Sequence, residues 1–172
     1  MTEPRNVYLI LCSQLQAITF KTMGKLTEII NLAHERAEAL GLPYKGALTP
    51  AEAHALRALA PGAKLVDVRT RAEWDWVGRV AGAVEIEWNQ YPGGTRNPNF
   101  LAELHRQVDR EALVMFLCRS GVRSDGAARL ATEAGYGDCY NILEGFEGDK
   151  DASGHRNTIG GWRQAGLPWM QG

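Results

Sequence analysis

The sequence predicts an α/β fold in which a mostly parallel sheet carries helices on both faces. Three observations point there. Leu113-Val114-Met115-Phe116-Leu117 is an unbroken apolar run of strand length, the pattern of a strand buried on both sides. Leu65-Val66-Asp67-Val68 and Cys139-Tyr140-Asn141-Ile142-Leu143 are two more short strand candidates. Helical spacings lie between these runs, and strands alternating with helices imply crossover connections and parallel neighbours.

Taken in chain order, Val7 to Cys12 opens an apolar stretch that Ser13, Gln14 and Gln16 interrupt. It falls far short of the ~20 apolar residues that span a bilayer. It also lacks the long apolar core and small-residue cleavage site of a secretory signal. Met23-Gly24-Lys25 reads as a second translation start, leaving residues 1–22 as a tail. Leu26, Ile29, Ile30, Ala33, Ala37 and Leu40 recur at three- and four-residue spacings and predict an amphipathic helix, which Gly41 and Pro43 end. The next helix has a sharper start. Thr49 is its N-cap, Pro50 its first residue, and Glu52 completes a T-x-x-E capping box before Ala53, Leu56 and Leu59. Val84 to Trp88 alternates as a strand does, and Phe100–Val108 and Asp125–Ala134 read as helices.

At 172 residues the chain suits one domain with an extension. Hydrophobic residues make up 45% and charged residues 23%, as in an ordinary folded protein. The formal net charge of −1 offers no basic surplus for nucleic acid or an anionic membrane. Three cysteines, Cys12, Cys118 and Cys139, form neither a metal-type pair nor an even disulfide set, and with four histidines they give no zinc spacing. The expectation is a reducing, cytoplasmic setting.

In parallel α/β sheets, ligands bind outside the carboxyl ends of the strands. The loops at Arg69–Gly78, Trp88–Asn99, after Cys118, and at Glu144–Ile159 should therefore gather at one edge. The decisive one is Cys118-Arg119-Ser120-Gly121-Val122-Arg123-Ser124-Asp125, between a buried strand and a helix that Ser124 or Asp125 would cap. Such a junction turns backbone N–H groups inward and adds the positive end of the helix dipole. A thiolate at its base would be stabilised by those amides and by Arg119 and Arg123, and Gly121 permits the tight curve. A buried cysteine is ordinarily packing. Two arginines, two serines and a glycine straight after a strand end are not how a core strand continues. Cys118 is therefore expected in a partly exposed, electropositive site, Cys139 reads as strand packing, and Cys12 falls outside the domain.

The segment Cys118 to Ser124 resembles the active-site loop of the rhodanese family. Leu65 to Arg69 resembles that family's D-x-R signature, and Gly78-Arg79-Val80-Ala81-Gly82-Ala83 its G-H-I-P-G-A segment, with Arg79 and Ala81 in place of His and Pro. Leu143-Glu144-Gly145, Gly160-Gly161-Trp162 and Gly166-Leu167-Pro168 resemble its ending. The likeness runs from about Leu48 to Trp169, with Phe146–Ile159 as an insertion before a terminal helix. It implies a rhodanese-like domain over residues 46–172 with a central five-stranded sheet, preceded by an extension with a helix over residues 1–45.

The resemblance also implies a thiosulfate sulfurtransferase that needs no metal and no organic cofactor. Cys118 would take the outer sulfur of an anionic donor such as thiosulfate as a persulfide and pass it to cyanide or a thiol. Arg119, Ser120, Gly121, Val122, Arg123 and Ser124 would bind the substrate, with Asp67 and Arg69 bracing the site. The same loop would serve a carrier that hands persulfide sulfur to a protein partner. A Cys-loop phosphatase or arsenate reductase needs C-x5-R, whereas arginine here comes at C-x4-R, a smaller cradle suited to sulfur. Asp149, Asp151, Ser153 and Gly154 echo a calcium loop, but its twelfth position is Gly160 rather than Glu, so a solvated acidic loop is expected. Trp74, Trp76, Trp88 and Tyr91 either wall the pocket or pack on the sheet, and His155 either reaches the site or lies in solvent. The insertion follows a strand end, which puts it on the ligand-binding edge of the sheet. Its polar composition keeps it out of the core, so it is expected to border the mouth over Cys118.

Overall fold

The computed structural model describes residues 4–171, with side chains for residue 19 and residues 21–171. In chain order its elements are α1 (Pro4–Ala39), β1 (Gly46–Leu48), α2 (Pro50–Leu59), β2 (Lys64–Asp67), α3 (Arg71–Trp76), β3 (Val84–Glu85), α4 (Phe100–Gln107), β4 (Leu113–Leu117), α5 (Val122–Glu133) and β5 (Asp138–Ile142). The strands form one five-stranded sheet in the order β1-β5-β4-β2-β3, and every pairing is parallel. β4 is central, which explains its unbroken apolar sequence.

Side chains alternate along β4 and divide the core in two. Val114, Phe116 and Cys118 face Phe100 and Leu104 of α4 and Ala127, Ala128 and Ala131 of α5. Met115 and Leu117 face the other way, onto Ile29 and Ala33 of α1 and Ala53 and Leu56 of α2. Helices thus cover both faces. Arg36 of α1 donates to both carboxylate oxygens of Glu52 at 3.0 Å and to the Ala47 carbonyl, tying α1 to α2 and β1. No helix among the described residues is long and apolar enough to cross a membrane.

The capping box of α2 forms as its sequence requires, with Thr49 Oγ1 accepting from Glu52 N–H and Glu52 accepting from Thr49 N–H. Other elements depart from expectation. The helix predicted from Leu26 runs from Pro4, and the Cys12 side chain lies outside the described residues. β3 is only two residues long, although Ile86 N–H and Trp88 N–H still bond to Asp67 and Val68 carbonyls. The segment Arg69–Gly78 contains α3, capped by a second box, Thr70 with Glu73. The expected terminal helix is a set of turns, in which Trp162 N–H reaches the Gly145 carbonyl and Ala165 N–H the Gly161 carbonyl.

One buried ion pair fixes the exit from β2. Asp67 and Arg69 both have fully buried side chains, joined at 2.6 Å from Arg69 Nη2 and 2.9 Å from Nε. Arg69 Nη2 also donates to the Gly78 carbonyl at 2.8 Å, and its guanidinium lies 4.0 Å from the centre of the Phe146 ring. Removing one member of such a pair strands the other charge, a loss of about 3–5 kcal/mol. Arg69→Ala should therefore lower unfolding free energy by about that amount in urea titration. A change near that of a surface substitution would show that Asp67 is compensated some other way.

Candidate active site

Cys118 follows the last residue of β4, and the chain then curls around its sulfur. Gly121 sits at φ 96° as the N-cap of α5 and donates its N–H to Cys118 Sγ at 3.1 Å. A Cβ there would lie 2.0 Å from the Leu143 carbonyl oxygen, so both the conformation and the space require glycine. The hydroxyl of Ser124 is within reach of Cys118 Sγ at 3.2 Å and of the Gly121 carbonyl at 3.0 Å, and its single proton serves one at a time. Asn141 Nδ2 donates to the Gly121 carbonyl at 3.2 Å, holding the turn from beneath. The sulfur thus accepts from the Gly121 amide, with the Ser124 hydroxyl in reach, at the N-terminus of a twelve-residue helix.

Two expectations change here. Neither Ser124 nor Asp125 caps α5, because left-handed Gly121 starts the helix three residues earlier than expected. Ser124 turns its hydroxyl to the sulfur instead, and Asp125 accepts from Tyr44 Oη at 2.7 Å and Arg129 Nε at 2.8 Å. The thiol expected to be partly exposed is buried: Cys118 is 1% accessible, because its own loop wraps it.

Arg123 is not a free cation. It donates from Nη1 and Nη2 to Glu73 at 2.8 and 2.7 Å, a bidentate pair spanning fifty residues of sequence. Burial alone would raise the Glu73 carboxyl, but bonds from Arg123 and from the Thr70 backbone and side chain outweigh it and hold it at about 2. Burial likewise disfavours the charged Arg123, and Glu73 outweighs it, with the neighbouring Cys118 adding in the same direction. Glu73 had no role in the sequence reading. Its T-x-x-E cap with Thr70 was the available signal.

The insertion is stitched to the loop by backbone bonds. Phe146 N–H donates to the Cys118 carbonyl at 2.8 Å and Glu147 N–H to the Arg119 carbonyl at 2.9 Å. Gly145 passes so close that a Cβ would lie 2.5 Å from the Cys118 carbonyl oxygen. The insertion is not wholly polar surface, since Phe146 is fully buried in the core. Asp151 accepts from Ser153 and His155 N–H, closing a local turn rather than a cation site. No cluster of metal-ligating side chains occurs among the described residues.

Beside the loop opens a cleft of about 600 Å³, lined by residues that include Glu73, Tyr91, Arg119, Arg123, Glu147 and Arg156. The structure therefore brings together Arg119 and Arg123 of the loop, α3, the Trp88–Asn99 segment and the insertion. Ser120 is partly buried, Val122 largely exposed and Ser124 fully buried. Asp67 and Arg69 lie beneath, as a brace. Of the aromatic candidates only Tyr91 lines the cleft; Trp74 and Trp88 are core, and Trp76 is 79% exposed. His155 is exposed and not among the lining residues, whereas its neighbour Arg156 is. Cys139 is packing: burial pushes its thiol up to about 11.

This fold and this cysteine loop define a class. The chain matches the Rhodanese-like domain over residues 49–152 and belongs to that family. A crystal structure of Rv0390 from M. tuberculosis is 50% identical, with a TM-score of 0.70 over 75% of this chain and 99% of that one. An uncharacterized protein of Rickettsia conorii is 40% identical over 111 residues, 62% of this chain and 81% of the relative. The polysulfide-sulfur transferase homodimer of Wolinella succinogenes, 22% identical, shares the fold at a TM-score of 0.51 over 73% of this chain and 78% of that one.

The Glu73 carboxyl gives a pH signature. Its folded value of about 2 lies below its ordinary 4.5, so its pairing stabilises fully above 4.5 and is lost as pH falls towards 2. The shift corresponds to on the order of 3 kcal/mol at neutral pH. Urea unfolding between pH 7 and pH 2 should show a component in wild type that Glu73→Gln lacks. Parallel profiles for the two proteins would mean the pair does not couple to folding.

Proposed function

We propose that the protein is a sulfurtransferase that carries sulfur as a persulfide on Cys118. The observation that carries this reading is the sulfur itself, which accepts from Gly121 N–H and lies within reach of the Ser124 hydroxyl at a helix N-terminus. Such donors suit an anionic sulfur, whether thiolate or persulfide, and need no rearrangement as charge moves. Membership of the rhodanese-like family supports it, as does the name of the Wolinella relative.

In the first step the Cys118 thiolate attacks the outer sulfur of a donor such as thiosulfate. The S–S bond to sulfite breaks, sulfite leaves with the electron pair, and the outer sulfur stays on Cys118. In the second, an acceptor nucleophile, cyanide or a thiolate, takes that sulfur and Cys118 leaves as thiolate. This is covalent catalysis, two displacements in place of one. Arg123 lies beside the sulfur with its charge offset by Glu73, and Arg119 meets the donor at the mouth. The unit proposed to act is residues 46–172, with 1–45 an extension, in a reducing cytoplasmic setting where the thiol stays free. Acceptance of the sulfur by a protein thiol uses the same chemistry.

Intact mass after incubation with thiosulfate should rise by one sulfur atom and fall back on adding cyanide. Cys118→Ser should show no gain while keeping its fold, and Cys139→Ser should behave as wild type. Sulfur gained by the Cys118 variant would sink the assignment. Arg123→Ala leaves the Glu73 carboxylate unpaired near the sulfur, so kcat/KM for thiosulfate should fall roughly ten- to hundredfold. An unchanged value would assign donor binding to the loop amides alone.

A further inference from the structure

The Gly121 carbonyl has more donors than it can serve. Asp125 N–H reaches it at 3.0 Å as the first bond of α5, Ser124 Oγ at 3.0 Å and Asn141 Nδ2 at 3.2 Å. A carbonyl oxygen offers two lone pairs. The helix fixes the Asp125 bond, so the second lone pair goes either to Ser124 or to Asn141. Ser124 has another acceptor, Cys118 Sγ at 3.2 Å. With Asn141 on the carbonyl, all of these groups are satisfied only when the Ser124 proton turns to the sulfur.

Asn141 is an odd choice for its place on any other ground. It lies in β5 opposite Phe116, two residues before Cys118 on the central strand, and is 3% exposed. Its Oδ1 is buried and has no partner among the described residues. A buried acceptor without a donor is destabilising, so stability does not account for the amide. Turned over, the amide would set its oxygen against the Gly121 oxygen, which keeps Nδ2 on the carbonyl.

Resting on the persulfide reading above, we infer that Asn141 is a positioning residue for sulfur transfer: it takes the Gly121 carbonyl and so commits the Ser124 hydroxyl to Cys118 Sγ. The commitment matters when sulfur leaves. Cyanide attacks the outer sulfur, the bond between that sulfur and Sγ breaks, and its electron pair stays on Sγ. The outer sulfur departs with the cyanide carbon as thiocyanate. The charge arriving on Sγ then meets two donors already in place, Gly121 N–H at 3.1 Å and the Ser124 hydroxyl. Without Asn141 the Ser124 proton is shared between carbonyl and sulfur, and one donor must reorient as the bond breaks.

The test adds cyanide to full-length protein preloaded with thiosulfate and follows thiocyanate release in wild type, Asn141→Leu, Ser124→Ala and the double variant. Ser124→Ala should lower the maximal release rate about tenfold or more, the worth of a hydrogen bond to a charged group. Asn141→Leu should lower it about threefold or more and leave the half-saturating cyanide concentration within about twofold. In the Ser124→Ala background, Asn141→Leu should change the rate by less than about twofold, because its action runs through that hydroxyl. The urea midpoint of Asn141→Leu should not fall, since the Gly121 carbonyl keeps the Asp125 and Ser124 donors. A side chain that only props the loop would slow both backgrounds alike and lower the midpoint. Either result, or a wild-type rate in Asn141→Leu, would overturn the role. If Asn141→Leu does not fold, Asn141→Thr completes the cycle, its hydroxyl being one bond too short to reach the carbonyl. Failure of the wild type to gain sulfur on preloading would overturn the persulfide reading and this role together. Intact mass taken before cyanide is added separates that outcome from the others.

Discussion

The backbone leaving β4 carries carbonyls that must find donors where water is scarce, and this demand arranges the whole site. The Leu117 carbonyl is taken by Val68 N–H, the Cys118 carbonyl by Phe146 N–H and the Arg119 carbonyl by Glu147 N–H. The three donors draw two other segments to the sulfur. Val68 brings the Asp67–Arg69 pair and α3 behind it, while Phe146 and Glu147 bring the insertion. Arg69 closes the circle, because its guanidinium spans from the Gly78 carbonyl to the face of Phe146. The Cys118 loop is thus held by backbone bonds on both sides.

Charge is then distributed over this frame by pairing. A loop with two arginines suggests a strongly positive pocket, but Glu73 takes one of them in a bidentate pair that is mostly buried. A half-buried guanidinium is costly to leave alone, and the carboxylate that relieves it also caps α3. The same residue therefore sets a helix and tempers the field at Cys118. Arg119 and Arg156 also line the cleft, and neither forms an ion pair among the described residues.

Much of this was legible in the sequence, and what was not has definable causes. β4 and the capping box of α2 were plain because each depends on residues a few positions apart, and both formed as read. α3 carries an identical T-x-x-E signal at Thr70 and Glu73 but is only six residues long, too short for any hydrophobic period to mark it. The three-residue strand Gly46–Leu48 is defined by pairing with β5 rather than by its own pattern. The ion pair of Glu73 with Arg123 joins positions fifty apart, and no local spacing announces it. Within the insertion, sequence drew attention to His155 as the reactive type. The fold turned its neighbour Arg156 to the cleft and left His155 in solvent.

Cys118 and Cys139 are both buried, yet their sulfurs sit in different surroundings. Both belong to the same core cluster, on the same face of the sheet, and are accessible to 1% and 0%. Their neighbours differ in direction. Cys139 Sγ acts as a donor, with a long contact of 3.8 Å to the Tyr136 carbonyl, and burial pushes its thiol up. A sulfur that donates must keep its proton. Cys118 Sγ accepts, from a backbone N–H and within reach of a hydroxyl, with an arginine near and a helix N-terminus pointing at it. The difference follows from place along the strand. Cys139 lies inside β5, where backbone amides are consumed by neighbouring strands, whereas Cys118 lies just past the end of β4, where the turn leaves the Gly121 amide to face the sulfur.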